Sequence, residues 1–104
     1  MFTINNEKWY IKFTSPADNI FLMEDGSFTI GTCDDLSKTI FLADNLKGPL
    51  LKKVLCHEIV HAAMFSYDVN LSFEQEELLA NIIATYGEEI INITNNVFKR
   101  LLNQ

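Results

Sequence analysis

The segment PLLKKVLCHEIVHAAMF, residues 49 to 65, decides the fold, because it predicts an amphipathic helix against which the rest of the chain can pack. Its apolar residues recur at mixed three- and four-residue spacings, the pattern of a helix with one buried face. Gly48 ends the preceding segment, and Pro49 suits a first helical position, where no hydrogen bond is lost. We expect the helix to run from about 49 to 66. The residues of the buried face are Leu50, Leu51, Val54, Leu55, Ile59, Ala62 and Ala63.

The half of the chain before this helix is typical of short β-strands. Residues 9–13, 19–23, 27–33 and 38–44 are rich in aromatic and β-branched side chains and are separated by turn signals. Parallel pairs need crossovers of about a dozen residues or more, and the connections between these segments are short. The sequence therefore predicts an antiparallel β-meander of three to four strands.

The half after the helix is typical of further helix. Ser72 followed by Gln75 is a capping-box pattern, which marks a helix start. Apolar residues then recur at helical period as far as Leu101, in one long helix or in two shorter ones separated near Gly87. The sequence leaves open whether this apolar stripe packs on its own domain or on a partner, although such stripes more often form core than interface. The fold class is thus α+β, in a single domain spanning residues 1–104.

The amino-acid composition limits the kinds of partner that this protein can have. The chain has 8 basic and 14 acidic residues, a formal charge of −6, so its surface should repel nucleic acid. No apolar run approaches the roughly 18 residues that a membrane span needs. The N-terminus lacks the basic region of a signal peptide, so we expect a cytoplasmic protein with Cys33 and Cys56 as reduced thiols. The sequence leaves the oligomeric state open.

The pattern that indicates a metal site is HEIVH, at residues 57 to 61. On a helix, His57 and His61 lie one turn apart on the same face, where two imidazoles can reach one metal ion. Glu58 lies about 100° round from His57, beside such an ion, where it could take a proton from an attacking water. The HExxH pattern on a helix therefore predicts two zinc ligands and a general base.

A catalytic zinc site of this kind needs a third protein ligand, often a carboxylate from another element. Glu77 in the next helix is the candidate, because Asn81 follows it on the same face and could accept the second ring N–H of a ligating histidine. Glu74 and Glu76 are rivals for the ligand role. Tyr67, just after the HEIVH helix, is the candidate for stabilising the developing oxyanion.

HEIVH followed by ELLAN at 77–81 resembles the gluzincin pattern, and more narrowly the ImmA/IrrE-like and other minimal gluzincin metallopeptidases of phages and mobile elements. The resemblance covers about Thr39 to Ala84. It implies Zn²⁺ bound by His57, His61 and Glu77, with Glu58 as the general base. It also implies a peptide or protein substrate, such as a regulatory protein, lying along an edge strand before the active-site helix. Residues 38–44 occupy that position in the sequence.

An alternative from another class is a non-catalytic, zinc-stabilised domain that binds a protein partner. Structural metals often stabilise small cores. Structural sites usually take all four ligands from the protein, however, and they need no general base. The sequence also leaves open that the Cys33 thiol, on a strand near the site, binds the metal and inhibits it.

Overall fold

The computed structural model describes all residues from 1 to 104 and has an α+β architecture, which confirms the fold class. A four-stranded mixed sheet comes first in the chain, and two helices follow it. The elements in order are β1 (Phe2–Ile4), β2 (Glu7–Thr14), β3 (Gly31–Asp34), β4 (Thr39–Ala43), α1 (Gly48–Ser66) and α2 (Phe73–Leu102).

The sheet consists of two hairpins laid side by side, in the strand order β1-β2-β4-β3. The first hairpin turns at Asn5 and Asn6, with φ of 49° and 65°. Positive φ at both central residues is the requirement of a type I′ turn, and asparagine tolerates it well. The second hairpin pairs β3 antiparallel with β4. The two hairpins join where β2 runs parallel to β4, from Tyr10 beside Thr39 onwards.

The parallel β2–β4 pair corrects the predicted antiparallel meander. The connection from β2 to β4 comprises the 24 residues from 15 to 38, which is long enough for a crossover. Within it, the segment predicted as a strand at 19–23 instead forms a 3₁₀ turn at Asn19–Phe21, capped by the Asp18 carboxylate. The strand predicted at 27–33 begins only at Gly31.

The parallel β2–β4 pairing also determines which strand lies at the edge of the sheet and is free to bind a partner. Strand β4 lies between β2 and β3, so the prediction that residues 38–44 form an edge strand is wrong. Strand β3 is the edge strand on the side of α1. Any chain that adds to this end of the sheet must pair with β3.

The core lies between the sheet and α1, and it fixes the end of that helix. The Trp9 side chain is fully buried, and its Nε1–H donates to Oγ of Ser66 at 2.8 Å. The Asn5 amide donates to the Ser66 carbonyl at 3.0 Å, so the first hairpin holds the last turn of α1. The fully buried large side chains are Trp9, Phe21, Ile40 and Leu42.

Helix α2 is one continuous helix of 30 residues, which settles the choice between one helix and two. The predicted capping box is present, because Ser72 Oγ accepts from Gln75 N and the Gln75 side chain accepts from Ser72 N, both at 3.1 Å. The helix packs along α1, where Lys52 and Glu88 form an ion pair at 2.8 Å. Neither helix has an apolar stretch of the length that spans a bilayer.

The apolar stripe of α2, for which the sequence left the partner open, packs only in part on its own domain. Helix α2 is about 45 Å long and α1 about 28 Å, so the C-terminal turns of α2 extend past the start of α1. The molecule is accordingly elongated, with extents of 56 × 29 × 28 Å. Only Ala80 of α2 is buried, and Ile90 and Ile93 are more than half exposed.

Candidate metal centre

Helices α1 and α2 bring together three side chains that could hold a metal ion: His57, His61 and Glu77. The two histidines come from adjacent turns of α1, as the i, i+4 spacing predicts. Glu77 comes from the second turn of α2, which lies against them because the connection after α1 is short. The capping box at Ser72 sets where α2 begins, and therefore the height at which Glu77 meets the histidines.

The donor atoms of these residues form a small triangle. The Nε2 atoms of His57 and His61 lie 3.2 Å apart. Oε1 of Glu77 lies 3.3 Å from Nε2 of His57 and 2.7 Å from Nε2 of His61. All three donors therefore point at one place.

The size of this triangle fits a tetrahedral metal ion. Ligand bonds of about 2.0–2.1 Å in tetrahedral geometry put neighbouring donors about 3.3 Å apart. Two sides of the triangle have that length, and the third, between His61 and Glu77, needs to open by only about 0.6 Å. Two imidazoles and one carboxylate are also a donor set that catalytic zinc sites use.

Glu76 contacts His61, one of the three candidate ligands. The sequence had indicated Glu76 only as a rival of Glu77 for the ligand role. Oε1 of Glu76 lies 2.9 Å from Nδ1 of His61. A carboxylate there holds the proton on Nδ1, which leaves the Nε2 lone pair free for a metal. Helical geometry alone could not separate the two roles, because adjacent glutamates differ only by about 100° around α2.

The charges at the site favour a cation. Burial lowers the pKa of His61, but the hydrogen bond with Glu76 and the negative charge of Glu58 and Glu77 outweigh that effect and raise it above the ordinary value. The carboxylates outnumber the imidazoles, since Glu58, Glu76 and Glu77 all line one cleft with the two histidines. A divalent cation would offset this excess of negative charge.

Glu58 lies in the position that the sequence predicts for a general base. Its side chain is buried, with 6% exposed, yet it lines the cleft beside His57 and His61. Burial raises the pKa of the Glu58 carboxyl, the two histidines lower it, and Glu77 raises it, with a net shift upwards. A carboxyl with a raised pKa accepts a proton more readily than an exposed one.

The edge strand β3 contributes Gly31, Thr32 and Cys33 to the lining of the cleft. The cleft has a volume of about 280 Å³, and the apolar side chains of Met23, Phe65 and Phe73 also line it. Both cysteines are free thiols. Burial, with the charge of Glu58 second, raises the pKa of the Cys33 thiol to about 12, so the thiol is held in its neutral form.

The structure does not give Asn81 and Tyr67 the contacts that the sequence predicts for them at the site. Asn81 lines a neighbouring cleft together with His57 and Glu77, but the hydrogen bonds of the imidazoles go to Glu76 and Glu77. Tyr67 is not in either cleft, because it ends α1 with 57% of its surface exposed. Six residues after His61, it lies about 9 Å along the axis and about 120° round from it.

Gly31 allows β3 to approach Glu58 closely, a role that the sequence did not indicate. A Cβ atom at this position would lie 2.8 Å from Cγ1 of Val54. It would also lie 3.2 Å from Cγ and 3.3 Å from Oε2 of Glu58. Only a residue without a side chain leaves both neighbours in place.

Replacing Gly31 by alanine should therefore lower the free energy of unfolding by about 1–3 kcal/mol, as overpacking a buried contact does. The three atoms nearest to the added methyl group belong to Val54 and Glu58 and not to a candidate ligand, so metal affinity should stay within about threefold of that of the unaltered protein. Denaturant unfolding and metal titration measure the two quantities. Thr32→Ala, next along the same strand, is the control, and an equal loss of stability in both variants would contradict the close-approach argument.

No protein-family model, no curated protein and no solved structure matches this chain in comparisons with known proteins. The function is therefore argued from the site itself.

Proposed function

We propose that this protein is a zinc metallopeptidase of the minimal gluzincin type. The observation that carries the proposal is the convergence of three donor atoms from His57, His61 and Glu77 beside a buried carboxylate, Glu58. A tetrahedral ion held by these three residues would keep a fourth position for water, as a catalytic site requires. The alternative, a structural zinc in a protein-binding domain, gives no reason for Glu58 to be buried there.

Zinc at this site would supply Lewis acidity, which makes water a nucleophile at neutral pH and polarises a substrate carbonyl. His57, His61 and Glu77 would hold the ion, and Glu76 would keep His61 in the tautomer that binds it. Glu58 takes a proton from the attacking water and then delivers it to the leaving amine. These steps together hydrolyse a peptide bond.

The substrate of this proposal is an extended peptide that pairs with β3. Ala43 donates to the Ile30 carbonyl, and hydrogen bonds alternate along an antiparallel pair, so the peptide groups of Gly31 and Cys33 point away from β4. The Gly31 carbonyl accepts from Thr29 Oγ1 at 3.2 Å, which leaves the N–H and C=O of Cys33 for a bound strand. A peptide paired there would run close to Glu58, because Gly31 of the same strand lies against that side chain. A flexible segment of a regulatory protein is a substrate of this kind.

The decisive experiment compares hydrolysis by metal-free, zinc-loaded and chelator-treated protein. The substrates are an unfolded protein and a library of unstructured peptides, with cleavage read by mass spectrometry. We expect about one zinc per chain and cleavage that requires it. Stoichiometric zinc without cleavage of any substrate would support the binding-domain alternative, and failure to bind zinc would contradict both.

A further inference from the structure

Helix α2 carries an exposed apolar stripe that neither the metal site nor the core uses. We define the α2 stripe as the residues Leu79, Ile83, Tyr86, Ile90, Ile93 and Val97. From Ile83 to Val97 these side chains are 37–55% exposed. An exposed apolar surface of this extent is unusual for a monomer and marks an interaction site.

The spacing of the α2 stripe is that of a coiled-coil seam. Its members alternate four and three residues apart, which is a seven-residue repeat of two apolar positions. One of the two positions holds the β-branched residues Ile83, Ile90 and Val97, and the other holds Leu79, Tyr86 and Ile93. The face that meets α1, with Ala80, Ala84 and Glu88, lies about 140° round the helix, so α1 leaves the stripe open.

Two charged residues of α2 indicate that a second copy of this helix covers the stripe. Glu89 lies at the edge of the stripe, and Arg100 takes the position that continues its repeat after Val97. The two are on the same side of the helix, eleven residues apart, which is close to three full turns. Neither forms an ion pair within its own chain. A second α2 in antiparallel orientation brings matching flanks together, so each Glu89 lies beside Arg100 of the second copy. A parallel arrangement would instead put like charges at the same level.

One alignment of two antiparallel α2 helices satisfies both the apolar spacing and the charges. A two-fold axis near residue 95 packs Ile93 on Val97 of the second copy and Ile90 along the aliphatic part of the second copy's Arg100. The helices then overlap over residues 86–104, about 27 Å. A contact between two helices over this length is at the small end of specific protein interfaces, which bury about 1,200–2,000 Å² in total.

We propose that the protein forms an antiparallel homodimer through the C-terminal half of α2. The proposal does not depend on metal binding, because the overlapping residues 86–104 lie beyond the residues of α2 that line the cleft with the candidate ligands. The interface is near the lower end of the size range for specific complexes, so the dimer should dissociate in the micromolar range.

Sedimentation equilibrium of the full-length chain, across low- to high-micromolar concentrations, tests the proposal. We expect a reversible monomer–dimer equilibrium. Ile93→Glu puts two carboxylates close to the two-fold axis and should raise the dissociation constant at least tenfold. Leu78→Glu is the matched control, since Leu78 is as exposed, at 61% against 54%, but lies outside the overlapping residues 86–104. It should leave the dissociation constant unchanged.

The orientation has its own test. Arg100→Glu alone should weaken the dimer, and the double variant Glu89→Arg with Arg100→Glu should restore it, because the exchanged charges still meet. Circular dichroism and the melting temperature establish that each variant is folded. A wild type that is monomeric throughout, or a dimer that Ile93→Glu does not weaken, overturns the proposal. A double variant that stays weak overturns the antiparallel register.

Discussion

Replacing Glu58 by glutamine should lower the rate of peptide hydrolysis by the zinc-loaded protein about 10²–10⁴-fold, the usual contribution of a general acid–base group. Glutamine has the size and shape of the glutamate it replaces but cannot accept the proton of the attacking water. Zinc content should stay at the level of the unaltered protein, because Glu58 is not among the three converging ligands. Initial rates measured on one peptide substrate, with elemental analysis of the same samples, check both statements.

The stability of this variant separates a catalytic role from a structural one. Glu58 is buried against Gly31, so a change of shape there would disturb the strand as well as the chemistry. Glu58→Gln keeps that contact and should melt within a few degrees of the unaltered protein. Full hydrolytic activity in Glu58→Gln would contradict the general-base role, and a large fall in melting temperature would indicate that the carboxylate mainly supports the fold.

Replacing Glu77 by alanine should abolish stoichiometric zinc binding at micromolar concentrations of free metal. The change removes one of three protein ligands and the only negatively charged one, so two neutral imidazoles must hold the ion alone. Competition with a zinc-binding dye of known affinity gives the dissociation constant. Hydrolysis should be lost in parallel with zinc.

Glu76→Ala provides a graded comparison with Glu77→Ala. Glu76 contacts His61 rather than the metal position, and removing such an outer partner typically costs about 10–100-fold in affinity. We therefore expect Glu76→Ala to bind zinc more weakly than the unaltered protein but more tightly than Glu77→Ala. The reverse order would mean that Glu76 is the third ligand, as the sequence alone had left open.

Helical periodicity allowed the metal centre to be predicted better than the sheet. The positions of His57, His61, Glu58 and Glu77 follow from spacing within two helices, where 3.6 residues per turn fixes which side chains share a face. The start of α2 was equally accessible, because the capping box at Ser72 is a local signal.

The parts that the sequence did not reveal depend on long-range packing. The pairing of β2 with β4 joins residues far apart in the chain, and no local pattern distinguishes it from a meander. The role of Gly31 depends on how closely a strand approaches a helix. For Tyr67, the way the chain leaves α1 carries the ring away from the cleft. The exposure of the α2 stripe depends on how far α1 extends beside it.

The parallel pairing of β2 with β4 also has a consequence for how the molecule folds. Each hairpin can close by itself within microseconds, because its strands are joined by short turns. Uniting the hairpins requires Tyr10 to find Thr39, and the loop closed in that step costs more entropy than either turn. Strand β4 leads directly into α1, which holds the histidines, and the first hairpin holds the far end of α1 through Ser66. A metal-competent arrangement is therefore expected to arise late in folding, after the sheet has closed.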